Sequence, residues 1–264
     1  MTPVVGTGAR SILQHMLKVV LLVPSDESPF PHFWVSGLFP SDVYGELVDS
    51  LPDPGLYEPF GYDGHGGDDT AHSRMRFRFE NASIDRLPVR QRELWYSIRN
   101  ALASREFKEA VFDKLASGLC RRFGCERDDV STLAGFPLPE LFRETTGYRI
   151  KPHPDTKVKV VTMQVCLAAD ESQSDLGTEF YRPSFSPAAL LREPRGFEVA
   201  KRMPFLPNSA YAFAVLNTLA TRSWHGRSTL RSTAGVRNSL LNFWYLSPDR
   251  ANRDVLPQHT AARV

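Results

Sequence analysis

His153 and Asp155 stand two residues apart in the stretch GYRIKPHPD that begins at Gly147. On a strand, residues i and i+2 point to the same side, so both side chains reach one metal ion if the strand continues past Pro154. A second histidine, His225 in SWHG, lies 70 residues beyond Asp155. Two imidazoles and one carboxylate occupy one face of an octahedron and leave three positions open, the donor set of non-haem ferrous sites. Zinc accepts the same donors, so ligand identity alone does not choose the metal.

Arg237 adds a different chemistry. It lies in VRNSLLNFWYL, an otherwise apolar strand, where an unpaired guanidinium is costly to bury. It reads either as half of a structural ion pair or as a fork gripping a carboxylate through two N–H bonds. Ser239 shares its face and offers a hydroxyl, while Leu241 and Phe243 continue that face as apolar wall. An arginine and a serine facing inward among apolar residues describe a pocket for a dicarboxylate.

These points need a scaffold. The chain has 264 residues, 42% hydrophobic and 23% charged, enough for one large core. Its net charge of +2, from 32 basic and 30 acidic residues, provides no basic footprint for nucleic acid. Three cysteines, Cys120, Cys125 and Cys166, lack a metal-type spacing and fit free thiols in a reducing cytoplasm. The apolar run LKVVLLV over 17–23 is too short for a membrane span or a signal peptide. It reads as a buried strand, with residues 1 to 15 as a loose lead-in.

The first half is predicted to be helix-rich. A strand is expected over 33–35 with a turn at Gly37, then a helix from a Ser41 or Asp42 cap to about residue 51. Residues 55–70 (containing GYDGHGGDD) read as a loop, in which His65 and the nearby His72 are solvated. RMRFRFE over 74–80 places Met75, Phe77 and Phe79 on one face of a strand and the arginines on the other. Leu94, Ile98 and Leu102 mark one helix. Phe107, Val111, Leu115, Leu119 and Phe123 mark a second, capped by Ser104 and ended by Gly124. From residue 139 the texture is β, with strands expected over 141–151, 158–167, 177–181, 197–202, 210–216, 222–226 and 236–246. Short strands separated by turns, without helices between them, suggest a double-sheet jelly roll.

The segments PFPHFWVSGLF, GYRIKPHPD, GTEFYRP, PNSAYAF, SWHG and VRNS together resemble the Fe(II)- and 2-oxoglutarate-dependent oxygenases, above all bacterial members with a prolyl-hydroxylase-like layout, over residues 29–246. The resemblance implies an α+β chain with a mainly β, cupin-like double-stranded β-helix core and supporting N-terminal helices. One domain over 1–264 is expected: a helix-rich region over 29–135, the core over 139–248 and a polar, poorly ordered tail over 249–264. It also implies that His153, Asp155 and His225 hold iron and that Arg237 and Ser239 hold the far carboxylate of 2-oxoglutarate.

By the same resemblance, dioxygen is the oxidant, the oxoacid decarboxylates to succinate, and an unactivated C–H bond of a small molecule is hydroxylated. Related halogenases carry Gly or Ala where this chain has Asp155, which favours hydroxylation, with desaturation or cyclisation as alternatives. Histone-demethylase-like relatives use a lysine where Arg237 stands. A peptidyl target, or a cupin-like metalloenzyme without 2-oxoglutarate, are the rival readings. Tyr148 and Thr162 are further candidates to bond the cosubstrate, and Thr178, Glu179 and Tyr181 to touch substrate. The expected partner is a small molecule, with neither nucleic acid nor membrane, in the cytoplasm.

Overall fold

The computed structural model describes residues 7–60, 73–218, 221–231, 233 and 235–256. His65 and His72 lie outside these residues. The chain opens with helix α1 (Thr7–Leu22), then strands β1 (Ser25–Asp26) and β2 (His32–Ser36) and helix α2 (Ser41–Asp49). Strands β3 (Glu58–Pro59) and β4 (Arg74–Arg78) follow, then helices α3 (Asn81–Ile84), α4 (Val89–Leu102), α5 (Arg105–Lys114) and α6 (Ala116–Phe123). The second half is β5 (Phe136–Glu144), β6 (Ile150–His153), β7 (Lys159–Cys166), β8 (Glu179–Pro183), helix α7 (Pro187–Leu191), β9 (Phe197–Arg202), β10 (Ser209–Ala214), β11 (His225–Arg227) and β12 (Arg237–Tyr245).

Among the described residues these strands form two antiparallel sheets. The larger has eight strands in the order β1-β2-β10-β7-β12-β5-β4-β3; the smaller has four, β6-β11-β8-β9. Two facing sheets with strands exchanged between them are the jelly roll expected. Period-two alternation divides the large sheet into two surfaces. Leu141, Met163, Val165, Leu240, Trp244 and the small residues Ala210, Ala212 and Ala214 face the helices in one continuous core. The alanines let α6 come close: a Cβ on Gly118 would stand 2.7 Å from that of Ala214. The opposite surface carries Arg237, Leu241 and Phe243 toward a cavity.

Several expectations are corrected. Residues 17–23 are not a strand, nor is the stretch before them a loose lead-in through residue 15, because α1 occupies Thr7–Leu22. Ala9, Ile12, Met16 and Val20 are buried at helical spacing, whereas Leu21 and Leu22 are exposed. α2 begins at Ser41 with Pro40 in the N-cap position and no side-chain cap, so neither Ser41 nor Asp42 caps it. The stripe from Phe107 to Phe123 is two helices, broken at Leu115 (φ −104°, ψ 14°), though Ser104 does accept from Phe107 N–H and Gly124 does end α6 in the left-handed region. The strand expected over 141–151 is two strands in different sheets, with Gly147 turning between them at φ 89°. Residues 54–56 form a 3-10 turn and Glu58–Pro59 pairs with β4, so the 55–70 loop is shorter at its start. The tail beyond residue 246 is ordered through residue 256: Asn252 Nδ2 donates to Phe79 O at 2.7 Å and Val255 is buried.

Candidate metal centre

β6 and β11 pair antiparallel in the small sheet, and His153 stands directly opposite His225. Their rings are 4.4 Å apart between centroids. The strand ends at His153, so Asp155 does not reach the site as a strand residue. It comes in from the following loop, whose backbone is held by Asn217 Nδ2 donating to Asp155 O at 3.1 Å. One donor atom from each of His153, Asp155 and His225 lies within 4.8 Å of the others. Strand pairing places the two histidines and a loop delivers the carboxylate.

The protonation pattern suits a cation. His153 Nδ1 faces Lys151 O at 3.0 Å and His225 Nδ1 faces Ser223 O at 2.9 Å. A carbonyl only accepts, so each Nδ1 carries the proton and each Nε2 keeps its lone pair for a metal. Burial pushes the His153 imidazole down to about 3, with His225 adding to the shift, and burial lowers His225 as well. Burial opposes the charge on Asp155, but Lys159 and the two histidines more than offset it and hold the carboxyl well below the usual range. Lys159 Nζ is 2.6 Å from Oδ1, and Thr162 Oγ1 donates to Oδ2 at 2.6 Å. Thr162 therefore spends its hydroxyl proton on the Asp155 carboxylate. Two neutral imidazoles and one ionised carboxylate fit a divalent ion with open positions.

These residues line a cavity of about 540 Å³ between the two sheets. Its buried end holds Glu144, Tyr148, Gln164, Thr178, Tyr211, Arg227 and Arg237. Arg237, only 3% exposed, donates through Nε to Leu176 O at 2.7 Å and through Nη1 to Glu144 Oε2. The amide of Gln164 satisfies both its sides only with its oxygen toward the Arg237 Nη atoms and its nitrogen toward Thr178 Oγ1 and Tyr211 Oη. Burial works most strongly against the Arg237 charge, but Glu144 together with Tyr211, Tyr148 and Cys166 more than offsets it and raises the pKa above the ordinary arginine value. Ser239 sits on the same strand face, fully buried, with an Oγ that has no hydrogen-bond partner, although it does not line the cavity. The Ser239 hydroxyl therefore stands outside the cavity lining, on the strand face that Arg237 shares.

The remaining candidates divide. Tyr148 lines the buried end, where burial raises its phenol pKa. Thr178 lines the cavity and bonds Gln164. Glu179 and Tyr181 do not line it: the Glu179 carboxylate is taken up by Tyr181 Oη, Arg202 and Ser228 Oγ. Residues that the sequence did not single out complete the site. Glu144 pairs with both Arg237 and Arg74, the latter 3.1 Å away. Arg227, two residues past His225 and on the same strand, uses Nη1 for Asp175 O and Gly177 O at 2.9 Å each. The i+2 spacing was the available signal for Arg227, and the alternation of RMRFRFE was the signal for Arg74.

Apolar side chains line a further part of the cavity, in contact with Arg74 and Lys159. Phe142, Leu241 and Phe243 form a cluster separate from the main core, with Phe60, Leu138 and Tyr245 against it. Arg76 and Glu140 pair beside them at 3.2 Å.

No protein-family model matches the chain, and no curated protein sequence matches it. Solved structures with a similar course of chain include a prolyl-4-hydroxylase from Pseudomonas putida, at 12% identity over 89% of this chain and 100% of that one, TM-score 0.44. An oxidoreductase of the 2OG-Fe(II) oxygenase family from Burkholderia pseudomallei aligns at 15% identity over 94% of each chain, TM-score 0.47. The epimerase SnoN, in complex with Fe3+, alpha ketoglutarate and nogalamycin RO, aligns at 11% identity over 89% of this chain and 84% of that one, TM-score 0.48. At such identities the likeness concerns the course of the backbone, and what this site does has to follow from its own side chains.

Proposed function

We propose that the chain is a ferrous iron- and 2-oxoglutarate-dependent oxygenase that hydroxylates an unactivated C–H bond of a small molecule. The observation that carries this reading is the meeting of His153, Asp155 and His225 in one cavity whose buried end presents Arg237. Iron, 2-oxoglutarate and dioxygen would supply the oxidising power, with the oxoacid leaving as succinate and carbon dioxide.

The protein's own part is placement. His153 and His225 offer Nε2 and Asp155 its carboxylate to the metal. Arg237 binds the far carboxylate of the oxoacid, with Tyr148 and Ser239 nearby. Leu241, Phe243 and Phe213 wall the cavity and exclude water from the reacting centre. The apolar part is where a substrate would lie, so a small molecule with an apolar body is the partner this reading expects, in the cytoplasm.

The test is anaerobic reconstitution with iron, followed by a screen for succinate release across a pool of small metabolites. Wild-type protein is expected to hold one iron per chain and to form succinate only with 2-oxoglutarate, while His153→Ala loses the iron and Arg237→Leu raises the 2-oxoglutarate requirement by at least tenfold. Iron retained in full by His153→Ala would overturn the reading. A second reading, a cupin-like metalloenzyme that needs no oxoacid, is favoured by one observation: Arg237 already has a carboxylate partner in Glu144. Under it, Arg237→Leu leaves turnover unchanged.

A further inference from the structure

Glu144 is buried, lines the cavity and belongs to none of the roles above. Strand register explains its position. Glu144 in β5 stands directly opposite Arg237 in β12 on one side and Arg74 in β4 on the other. The three side chains form a row across the sheet, with Oε2 on Arg237 Nη1 and Oε1 3.1 Å from Arg74 Nε. We propose that Glu144 is an internal competitor for the oxoacid: it occupies Arg237 until the far carboxylate arrives, then shifts its pairing wholly to Arg74. The inference rests on the reading of Arg237 as the oxoacid anchor.

The geometry permits the exchange. Arg237 does not depend on Glu144 for its placement, because Leu176 O holds Nε and the Gln164 oxygen holds the Nη atoms. Its guanidinium also lies over the Phe205 ring at 4.6 Å. Arg74 is equally fixed, with its guanidinium 4.4 Å from the Phe142 ring, 5.1 Å from Phe60 and 5.2 Å from Tyr148. When a ligand carboxylate replaces Glu144 at Arg237, one charge-assisted bond is exchanged for another and Glu144 keeps a cationic partner.

Charge in the buried end allows for the newcomer. Arg74, Arg227 and Arg237 line it with one carboxylate, that of Glu144, while the buried Glu179 that also acts on Arg227 is paired with a further cation, Arg202. Arg227 Nε is buried without a partner, and Arg227 is more than nine-tenths buried. A second anion therefore enters a region that is still positive. Glu144 also acts as a filter. A monocarboxylic oxoacid that chelates the metal has no second carboxylate with which to displace Glu144, so the site selects dicarboxylic oxoacids over monocarboxylic ones.

The experiment is calorimetric titration of 2-oxoglutarate into protein loaded with Mn(II), a redox-silent stand-in, using wild type, Glu144→Gln, Arg237→Leu and the double variant. Glu144→Gln is expected to tighten 2-oxoglutarate binding by about tenfold. It should tighten pyruvate binding much less, and Arg237→Leu should abolish the gain. Unchanged or weaker binding by Glu144→Gln, while Arg237→Leu still costs affinity, overturns the competitor role and makes Glu144 an orienting residue. Equal binding by wild type and Arg237→Leu, or none by either, overturns the oxoacid reading itself, and the competitor with it. Should Glu144→Gln fail to fold, Glu144→Asp decides: one methylene shorter, it loosens its hold on both arginines that flank it, so tightening is expected again, and unchanged or weaker binding overturns the competitor role.

Discussion

His153 and His225 are held neutral by burial, and this couples the site to acid stability. In the unfolded chain a histidine takes up its proton near 6.5, whereas His153 in the fold resists until about 3. Between these values the unfolded state binds more protons, so stability of the metal-free protein falls as pH drops from about 6.5 toward about 3. Thermal melting across that range should show a steady decline, shallower in His153→Gln; a flat profile in wild type would contradict the burial of the imidazoles. That His153, Asp155 and His225 meet was legible because a histidine, an acid two residues on and a distant histidine follow the order carried by the family resemblance. Glu144 was not, since an acid inside a strand looks the same whether it faces water or a buried arginine. Lys159 was equally silent: its role depends on Asp155 arriving from a loop, 2.6 Å away, which no spacing rule encodes.

At the scale of elements, the site depends on how closely β11 lies against β6. Gly226 makes that approach possible, because a Cβ there would stand 2.7 Å from Ile150 O and 3.1 Å from Lys151 C. Gly226→Ala should push the strands apart between the two histidines. Expected are a drop in Mn(II) affinity of at least tenfold and a loss of about 1–3 kcal/mol in stability, read by metal titration and denaturant unfolding. Strand positions in the second half were largely legible from β-branched and aromatic runs. The errors have physical causes. At the end of α1 and just past it, β-branched residues at 19, 20 and 23 imitate a strand, and only the burial of Ile12, Met16 and Val20 on one face reveals a helix. At Leu115 an unbroken four-residue stripe hides a helix break, because both helices present their apolar faces to the same sheet.

For the molecule as a whole, helices cover one surface of the large sheet and chemistry occupies the other. Met16 is fully buried in the helical layer, far in the fold from the cavity wall. Met16→Ala should therefore cost about 2–5 kcal/mol of stability while metal affinity at a permissive temperature stays unchanged. Denaturant unfolding and metal titration on the same sample separate the two. No helix among the described residues is long and apolar enough to cross a membrane. The jelly roll was legible from many short strands without intervening helices; the pairing order of the strands was not, because register is decided by contacts between distant segments.

The candidate metal-binding histidines and the arginine belong to opposite walls. His153 and His225 stand on the small sheet and Arg237 on the large one. Phe180 of the small sheet separates these walls, its ring 4.5 Å from Phe30, 5.6 Å from Phe213 and 5.8 Å from Tyr211. This makes Phe180 a gauge block: under the proposed function, the length of diacid that spans metal and guanidinium is set by a ring that touches neither. Phe180→Leu should thin the gap and shift relative affinity from 2-oxoglutarate toward the shorter oxaloacetate, a change of substrate length without altering any contact to the substrate.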